Sequence, residues 1–306
     1  MRSDVTYDAI IIGGGPAGLS AALVLGRCRR HVLVYDSGRY RNRRSRSLHC
    51  FLGHDGRPPK ELLALARSQL AAYDNIEFAL ATVDTVHATE GRFHVVASSG
   101  RSADGRKLIV ATGVEDELPP VPGLPELFGH SVHVCPYCDG WKHRDAGIAA
   151  YGRGEKGAAL ARLLTQWSKD VVWCTDGDPL APDQRTTMAA AGIKVKEHRI
   201  VRLEGAEGKL QRVVFSDGSG LPRQGLFFST GQHPRSPLLH ALGCVFDETG
   251  GVVCGDDGRT SVDGVYAAGD VSRDVQLAVI AAAEGARAAL AVNKALLRDG
   301  YPDSVP

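Results

Sequence analysis

The feature that most constrains the fold of this 306-residue chain is a glycine motif that occurs twice. The first copy is Gly13-x-Gly15-x-x-Gly18 and the second is Gly152-x-Gly154-x-x-Gly157. Glycines at this spacing let a strand turn sharply into a helix whose amide-rich N-terminus can face a pyrophosphate. The chain is therefore predicted to be an α/β protein with two nucleotide-binding units.

The first glycine motif lies inside a complete βαβ pattern. The sequence predicts a strand over 8–12, a helix over 19–25 and a second strand over 31–35. That second strand ends at Asp36, about 20 residues beyond the glycines, where an acidic side chain accepts hydrogen bonds from a ribose. A dinucleotide is therefore the expected ligand of this unit.

The second glycine motif lies in a similar pattern, with a strand over 146–151, a helix over 158–167 and a strand over 170–175. Asp176 follows the last strand and resembles the ribose-binding acid of NAD sites. An alternative is that this motif binds nothing and that Gly152 and Gly154 only allow close helix packing.

Prolines at 119, 120, 122 and 125 mark a linker, and Pro234 with Pro237 marks a return. A strand over 264–268 and a final helix over 277–297 are then expected to pack on the first unit. We predict two Rossmann-like three-layer nucleotide-binding domains with the second inserted in the first: 1–115 with 237–306, and 116–236.

Composition narrows the class of partner and the compartment. The formal charge of +1 and the pI near 7.7 do not favour nucleic acid or an anionic membrane. The apolar segment 277–292 is too short to span a bilayer and carries Glu284 and Arg287. Seven cysteines, with one close pair, are typical of a reducing cytoplasm rather than a secreted disulfide framework.

The close pair is Cys135-Pro136-Tyr137-Cys138, which lies between the two glycine motifs. Two cysteines at this spacing can close into a disulfide that exchanges electrons. Zinc binding is the alternative, with His130, His133 and His143 nearby, but no second close cysteine pair completes a four-ligand site, so no metal is predicted. A glutaredoxin-like domain is disfavoured because the motif follows a proline-rich linker.

Five segments occur in the order found in low-molecular-weight thioredoxin reductases, which the chain resembles over nearly its whole length. They are Gly13-Gly14-Gly15-Pro16-Ala17-Gly18, Ala111-Thr112-Gly113, the Cys-x-x-Cys-Asp-Gly of 135–140, the second glycine motif, and Gly264-Val265-Tyr266-Ala267-Ala268-Gly269-Asp270. The resemblance implies a homodimeric FAD enzyme, with FAD on the discontinuous domain. A nicotinamide cofactor would reduce the flavin, and the flavin would reduce the disulfide.

The resemblance also implies roles for individual residues. Cys138 would face the flavin, Cys135 would attack the substrate, and Asp139 would be their acid/base, although a turn or helix-capping role is its alternative. The implied FAD-binding residues are Gly13, Gly15, Pro16, Ala17, Gly18, Asp36, Asn42, Val83, Ala111, Thr112, Gly113, Gly269, Asp270 and Ala278. The implied nicotinamide residues are Gly152, Gly154, Gly157 and Asp176.

Two departures from the family pattern bear on the substrate. Cys174-Thr175-Asp176-Gly177 stands where these reductases carry an arginine-rich motif for the 2′-phosphate of NADPH, which favours NADH or a weakened site. Gln276-Leu277-Ala278 replaces the usual Arg-Gln-Ala. The arginines at 39, 41, 43, 44 and 46 are predicted to form a solvated loop that partly faces the FAD pyrophosphate.

Three segments resemble a second branch, the FAD dithiol oxidases that form disulfides in gliotoxin- and holomycin-type products. They are the Cys-Pro-Tyr-Cys motif, Arg41-Asn42 and the segment 49–56. There a histidine can act as base, so His49 and His54 are candidates, with loop or packing roles as the alternative. The leading hypothesis is reduction of a thioredoxin-like protein disulfide by NADH or NADPH. The alternatives are oxygen-dependent oxidation of a small-molecule dithiol and a flavin redox sensor without turnover.

Overall fold

The computed structural model describes residues 6–272 and 275–301. Residues 1–5 and 302–306 of the first predicted domain lie outside the described residues, as do 273 and 274. Among the described residues, no helix combines the length and the apolar character that a bilayer span requires.

Strands and helices alternate along the chain, as the two βαβ patterns predict. The strands are β1 (Thr6–Ile12), β2 (Val32–Asp36), β3 (Ile76–Leu80), β4 (Val83–Thr89), β5 (Arg92–Ala97), β6 (Ser102–Val110), β7 (Val114–Asp116), β8 (Val132–His133), β9 (Ile148–Tyr151), β10 (Val171–Cys174), β11 (Lys194–Lys196), β12 (Ile200–Ala206), β13 (Lys209–Phe215), β14 (Gly220–Pro222), β15 (Gly225–Phe228), β16 (Gln232–Pro234) and β17 (Val265–Ala267). The helices are α1 (Pro16–Arg27), α2 (Pro59–Leu70), α3 (Leu124–Leu127), α4 (Pro136–Asp139), α5 (Gly154–Leu164), α6 (Pro182–Ala190), α7 (Leu238–Ala241) and α8 (Ala278–Gly300), with 3₁₀ turns at Gly140–His143 and Asp270–Ser272.

The first sheet has the strand order β3-β2-β1-β6-β5-β4, and β17 also pairs with β6. Strands β3, β2, β1, β6 and β17 are mutually parallel, whereas β4 and β5 form an antiparallel extension. Helices α1, α2 and α8 cover one face through a core of alanine, valine and leucine side chains. Helix α8 packs on α1, as predicted for the last helix.

The second sheet has the order β11-β10-β9-β15-β8 and is entirely parallel. Helices α5 and α6 cover one face, with Trp173 at the centre of the core. The antiparallel sheet β12-β13-β14 covers the other face. A mainly parallel first sheet and a parallel second sheet, each covered by helices on one face, confirm the predicted α/β class with Rossmann-like units.

A two-stranded antiparallel ribbon of β7 and β16 joins the two sheets, with Asp116 opposite Gln232 and Val114 opposite Pro234. The chain leaves the first sheet through β7 and returns through β16. We propose that this ribbon is the junction between 1–115 with 237–306 and 116–236.

Candidate redox site

The carboxyl ends of the parallel strands in the first sheet meet at one edge, where they surround a cavity of about 760 Å³. The first glycine motif follows β1, Asp36 ends β2, Ala111-Thr112-Gly113 follows β6, and Gly269-Asp270 follows β17. Crevices at this edge are where open α/β sheets bind ligands. Gly18 lies behind the turn and does not line this cavity. The other residues predicted for FAD do: Gly13, Gly15, Pro16, Ala17, Asp36, Asn42, Val83, Ala111, Thr112, Gly113, Gly269, Asp270 and Ala278.

The turn after β1 has no room for side chains at its structural glycines. Gly13 has a φ of +118°, and a Cβ there would lie 2.2 Å from the carbonyl oxygen of Ala111. A Cβ on Gly18 would lie 1.8 Å from the carbonyl oxygen of Gly13. Around Gly15 nothing lies within 4 Å of an added Cβ, so the space above the helix N-terminus is open. The backbone therefore forms a cradle of the kind that suits a diphosphate.

Asp36 is buried and held by three donors. The Tyr40 hydroxyl donates to it at 2.6 Å, the Gly38 amide at 2.9 Å, and Arg67 forms an ion pair with it. Burial and the hydrogen bond to Asp36 raise the pKa of Tyr40. Sequence reasoning missed Arg67 because it lies on α2, and nothing in the local pattern ties it to Asp36.

The Arg41 side chain is mostly buried, whereas the sequence predicts that the arginines between 39 and 46 form a solvated loop. Its guanidinium donates to both carboxylate oxygens of Asp116, at 2.8 and 2.7 Å, and also to Asp270 at 3.0 Å and Gln276 at 2.7 Å. Burial disfavours its charge, but the bonds to Asp116 and Asp270 outweigh this and raise the pKa of Arg41. Arg41 thus links the ribbon of β7 and β16 to the edge of the cavity. It also contacts Gln276, which stands where the family's usual Arg-Gln-Ala has its arginine.

The residues of the cavity fit FAD. The Thr112 hydroxyl is buried and has no protein partner, which suits a wall that meets a polar ligand. The glycine cradle suits the diphosphate, and Asp36 suits a ribose. FAD bound here would supply a two-electron carrier to the cavity.

Cys135 and Cys138 form a disulfide across α4. The pair follows β8, at the carboxyl edge of the second sheet, and both cysteines line the same cavity as the glycine cradle. Tyr137 between them is 61% exposed and Trp141 just beyond is 68% exposed. The structure therefore brings together the dithiol and the predicted FAD site, which lie on different sheets.

Asp139 follows Cys138 directly, is buried, and contacts the side chains of Lys142 and His133. Lys142 Nζ lies 2.7 Å from its carboxylate and His133 Nδ1 lies 3.3 Å away. Burial raises the pKa of Asp139, but His133 and Lys142 outweigh it and lower that pKa to about 2. His133 Nε2 lies 3.0 Å from His143 Nε2. The sequence shows that both histidines lie near the disulfide along the chain, but it does not predict the contact between their rings.

His49 also lines the cavity, but its two ring nitrogens are engaged within its own loop. Nε2 lies 3.0 Å from the Ser47 hydroxyl, and Nδ1 lies 3.3 Å from Asp55. Next to it, the Cys50 thiol reaches the carbonyl oxygen of Tyr137 at 3.4 Å. The loop therefore touches the dithiol segment, while a base role for His49 stays a prediction.

The second glycine motif is also tightly packed, since a Cβ on Gly157 would lie 2.1 Å from the carbonyl oxygen of Gly152. The N-terminus of α5, however, already has an anionic partner. The Gly154 amide donates to Asp178 at 3.1 Å. A carboxylate thus takes a backbone donor that a pyrophosphate would use.

Asp176 is engaged as well. Its carboxylate accepts from Tyr151 at 2.9 Å, from Arg153 at 2.9 Å and from the Ile200 amide at 3.2 Å. Its φ of +58° is unusual for a residue other than glycine. These bonds fix the loop after β10, so the ribose-binding role of Asp176 stays a prediction.

The described ranges 6–272 and 275–301 contain no group of three or more His, Cys, Asp or Glu side chains placed to hold a metal ion. Of the described cysteines outside the disulfide, Cys28, Cys50, Cys174, Cys244 and Cys254 are free thiols.

A nucleotide cradle and a disulfide on one cavity define a dinucleotide-dependent disulfide oxidoreductase. Comparison with known proteins agrees: residues 7–285 match the pyridine nucleotide-disulphide oxidoreductase family. The chain belongs to this family and is an oxidoreductase; its thioredoxin reductases use FAD and NADPH. The predicted family resemblance is thereby confirmed.

Individual relatives are similar over most of their length. Thioredoxin reductase tcpT of Claviceps purpurea is 39% identical over 287 residues, covering 88% of each protein. The solved structure of HlmI is 36% identical, with a TM-score of 0.94 over 99% of this chain and 96% of that one. An oxidoreductase structure from Agrobacterium tumefaciens is 34% identical, with a TM-score of 0.90 over 96% of this chain and 99% of that one.

Proposed function

We propose that electrons pass from a nicotinamide dinucleotide to FAD, from FAD to the Cys135–Cys138 disulfide, and from the resulting dithiol to a disulfide on a thioredoxin-like protein. The observation that carries this proposal is that the disulfide and the glycine cradle line one cavity. In this scheme Cys138 faces the flavin and Cys135 attacks the partner disulfide, because a thiolate is the nucleophile in thiol–disulfide exchange. Asp139 exchanges a proton with the pair.

The nicotinamide donor is proposed to bind along α5, and NADH is preferred over NADPH. Asp176 stands after β10, where a 2′-phosphate would lie, and its negative charge repels that phosphate. Arg153 is paired with Asp176, so its positive charge is already offset. A ratio of kcat/KM that strongly favours NADPH would contradict this assignment.

The second candidate function is oxygen-dependent oxidation of a small-molecule dithiol, with the same groups running in the opposite direction. Its support is the N-terminus of α5, where Asp178 holds the Gly154 amide. A donor site with an internal carboxylate binds a dinucleotide weakly, and an enzyme fed by a dithiol does not need one.

One experiment separates the two directions and a non-catalytic sensor. The purified holoenzyme is mixed without air with NADH, NADPH or dithiothreitol, and the visible absorbance of the flavin is followed. Bleaching by NADH supports the reductase. Bleaching by the dithiol alone, with oxygen uptake when air returns, supports the oxidase, and no bleaching by any of them favours the sensor.

We also propose that the protein is a cytoplasmic homodimer. Five free thiols beside one redox pair suit a reducing compartment. Light scattering of the purified protein tests the dimer: a mass near 33 kDa would contradict it, because one chain is 32.6 kDa.

A further inference from the structure

Asp36 brings a negative charge to the glycine cradle that suits a diphosphate. The residue is 4% exposed and lines the cavity. Its carboxylate packs directly against the turn, since a Cβ added to Gly14 would lie 2.2 Å from Asp36 Oδ2. A diphosphate is itself an anion, and like charges repel each other strongly where little water separates them. The acid that suits a ribose therefore opposes the diphosphate of the same ligand unless its charge is offset.

Arg67 is the cation that offsets this charge. It lies on α2, forms an ion pair with Asp36 Oδ2 and also donates to the Tyr40 hydroxyl. Its Nε has no hydrogen-bond partner among the described residues, so the contacts with Asp36 and Tyr40 hold the guanidinium. Asp36 and Tyr40 line the cavity, whereas Arg67 does not. Arg67 therefore lies behind the acid and does not touch a ligand in the cavity.

The same contacts determine which oxygen of Asp36 can accept from a ligand. Tyr40 donates to Oδ2 at 2.6 Å, and Arg67 donates to the same oxygen. The Gly38 amide donates to Oδ1 at 2.9 Å. A carboxylate has about four acceptor positions, and the donors found among the described residues fill both of those on Oδ2 and one of those on Oδ1. The position left on Oδ1 suits one hydroxyl of a ribose.

We propose that Arg67 is a positioning residue for FAD, which neutralises Asp36 beside the diphosphate cradle and leaves Oδ1 of that acid for a hydroxyl of the adenosine ribose. Burial and the hydrogen bond to Asp36 raise the pKa of Tyr40, so its hydroxyl keeps its proton. The cluster of Asp36, Tyr40 and Arg67 then carries no net charge. Binding of FAD does not depend on the direction of electron flow, so this role goes beyond the proposed function.

The test is Arg67→Met, which removes the charge and keeps an unbranched side chain. Full-length holoproteins are diluted in steps, and the fluorescence of released FAD gives the Kd. The Kd should rise about tenfold or more at low salt, as expected for one uncompensated charge in a partly buried site. The matched control is Lys60→Met, because Lys60 is exposed on the same helix and its substitution removes the same charge. Its Kd should stay within about twofold of the wild-type value.

Adding Asp36→Asn to Arg67→Met separates charge compensation from helix packing. The second substitution removes the uncompensated charge, so the double variant should bind FAD at least about threefold more tightly than Arg67→Met. If Arg67 mattered only for the packing of α2, the second substitution would leave the Kd unchanged or raise it further, because the ribose-binding acid is lost as well.

An Arg67→Met Kd equal to that of the wild type overturns the inference, as does a double variant that binds FAD no more tightly than Arg67→Met. A variant that folds without FAD is titrated with it instead. If Arg67→Met does not fold, the double variant decides: folding with FAD bound supports the inference, and any other result overturns it. None of these outcomes bears on the direction of electron flow, which the anaerobic bleaching assay tests separately.

Discussion

Asp178→Asn is expected to strengthen NADH binding, because it removes a negative charge from the N-terminus of α5. The carboxylate accepts from the Gly154 amide at 3.1 Å, so a phosphate at the same amide would bring its charge to within roughly 5 Å. With an effective dielectric constant of about 40 to 80 for a partly exposed site, the repulsion is ~1 to 2 kcal/mol. Removing it should lower the Kd for NADH about 5- to 30-fold. Asparagine keeps the acceptor oxygen and therefore the loop.

The assay is anaerobic flavin reduction over a range of NADH concentrations, which gives the Kd and the limiting rate separately. Asp183→Asn is the matched control. Asp183 is exposed in the first turn of α6, and its substitution removes the same charge from the same unit. An unchanged Kd in Asp178→Asn refutes the reasoning, as does an equal gain in the control. Raising the salt concentration should shrink the difference, because exposed charges are screened.

Three further predictions test the dithiol, the helix packing and the buried histidine pair. In Cys135→Ser, reduction should enhance a long-wavelength band from the Cys138 thiolate beside the flavin, whereas Cys138→Ser should lack that band; the reverse pattern would exchange the two roles. Gly285→Ala should destabilise the protein by about 2 to 4 kcal/mol in chemical unfolding, because its Cβ would lie 2.0 Å from a backbone oxygen of α1. Gly300→Ala, with nothing within 4 Å of its Cβ, should change it by less than ~0.5 kcal/mol, and equal effects would contradict the packing argument. Folding lowers the pKa of His143 from 6.5 to about 4, mainly through burial. Between pH 4 and pH 6.5 the unfolded chain therefore binds more protons than the folded one, so the free energy of unfolding decreases by about 3 kcal/mol as the pH falls from 6.5 to 4. His143→Gln should flatten that loss in unfolding curves at several pH values, and an unchanged slope would rule out His143 as its source.

Local patterns predicted the backbone of the FAD site but not its charge partners. A glycine turn between a strand and a helix can be identified from neighbouring residues, and the position of Asp36 follows from the length of the βαβ unit. Arg67 reaches Asp36 from α2, and Arg41 bonds to both Asp116 and Asp270, the latter 229 residues further along the sequence. Such pairs depend on how helices and loops dock, for which a single sequence has no local pattern.

The second unit shows the same limit more strongly. Asp176 has the position of a ribose-binding acid, and the pattern says nothing of Tyr151, Arg153 and the Ile200 amide that occupy its carboxylate. Tyr151 ends β9 and Ile200 begins β12, so this engagement follows from the packing of two sheets. A motif can therefore be intact in sequence while its functional atoms already have partners.

The buried His133 ring helps to hold the dithiol segment in place. Strand β8 has two residues and pairs only through Val132 and His133 with β15, at the edge of the second sheet. So short an edge strand would hold Cys135 loosely, because two ladder positions fix little of its direction. The bonds of the buried His133 ring to Asp139 and His143 tie both ends of the dithiol segment to the core of the unit. Loss of that ring should therefore loosen the dithiol segment, and we expect it to lower the rate of flavin bleaching by dithiothreitol equally at every pH.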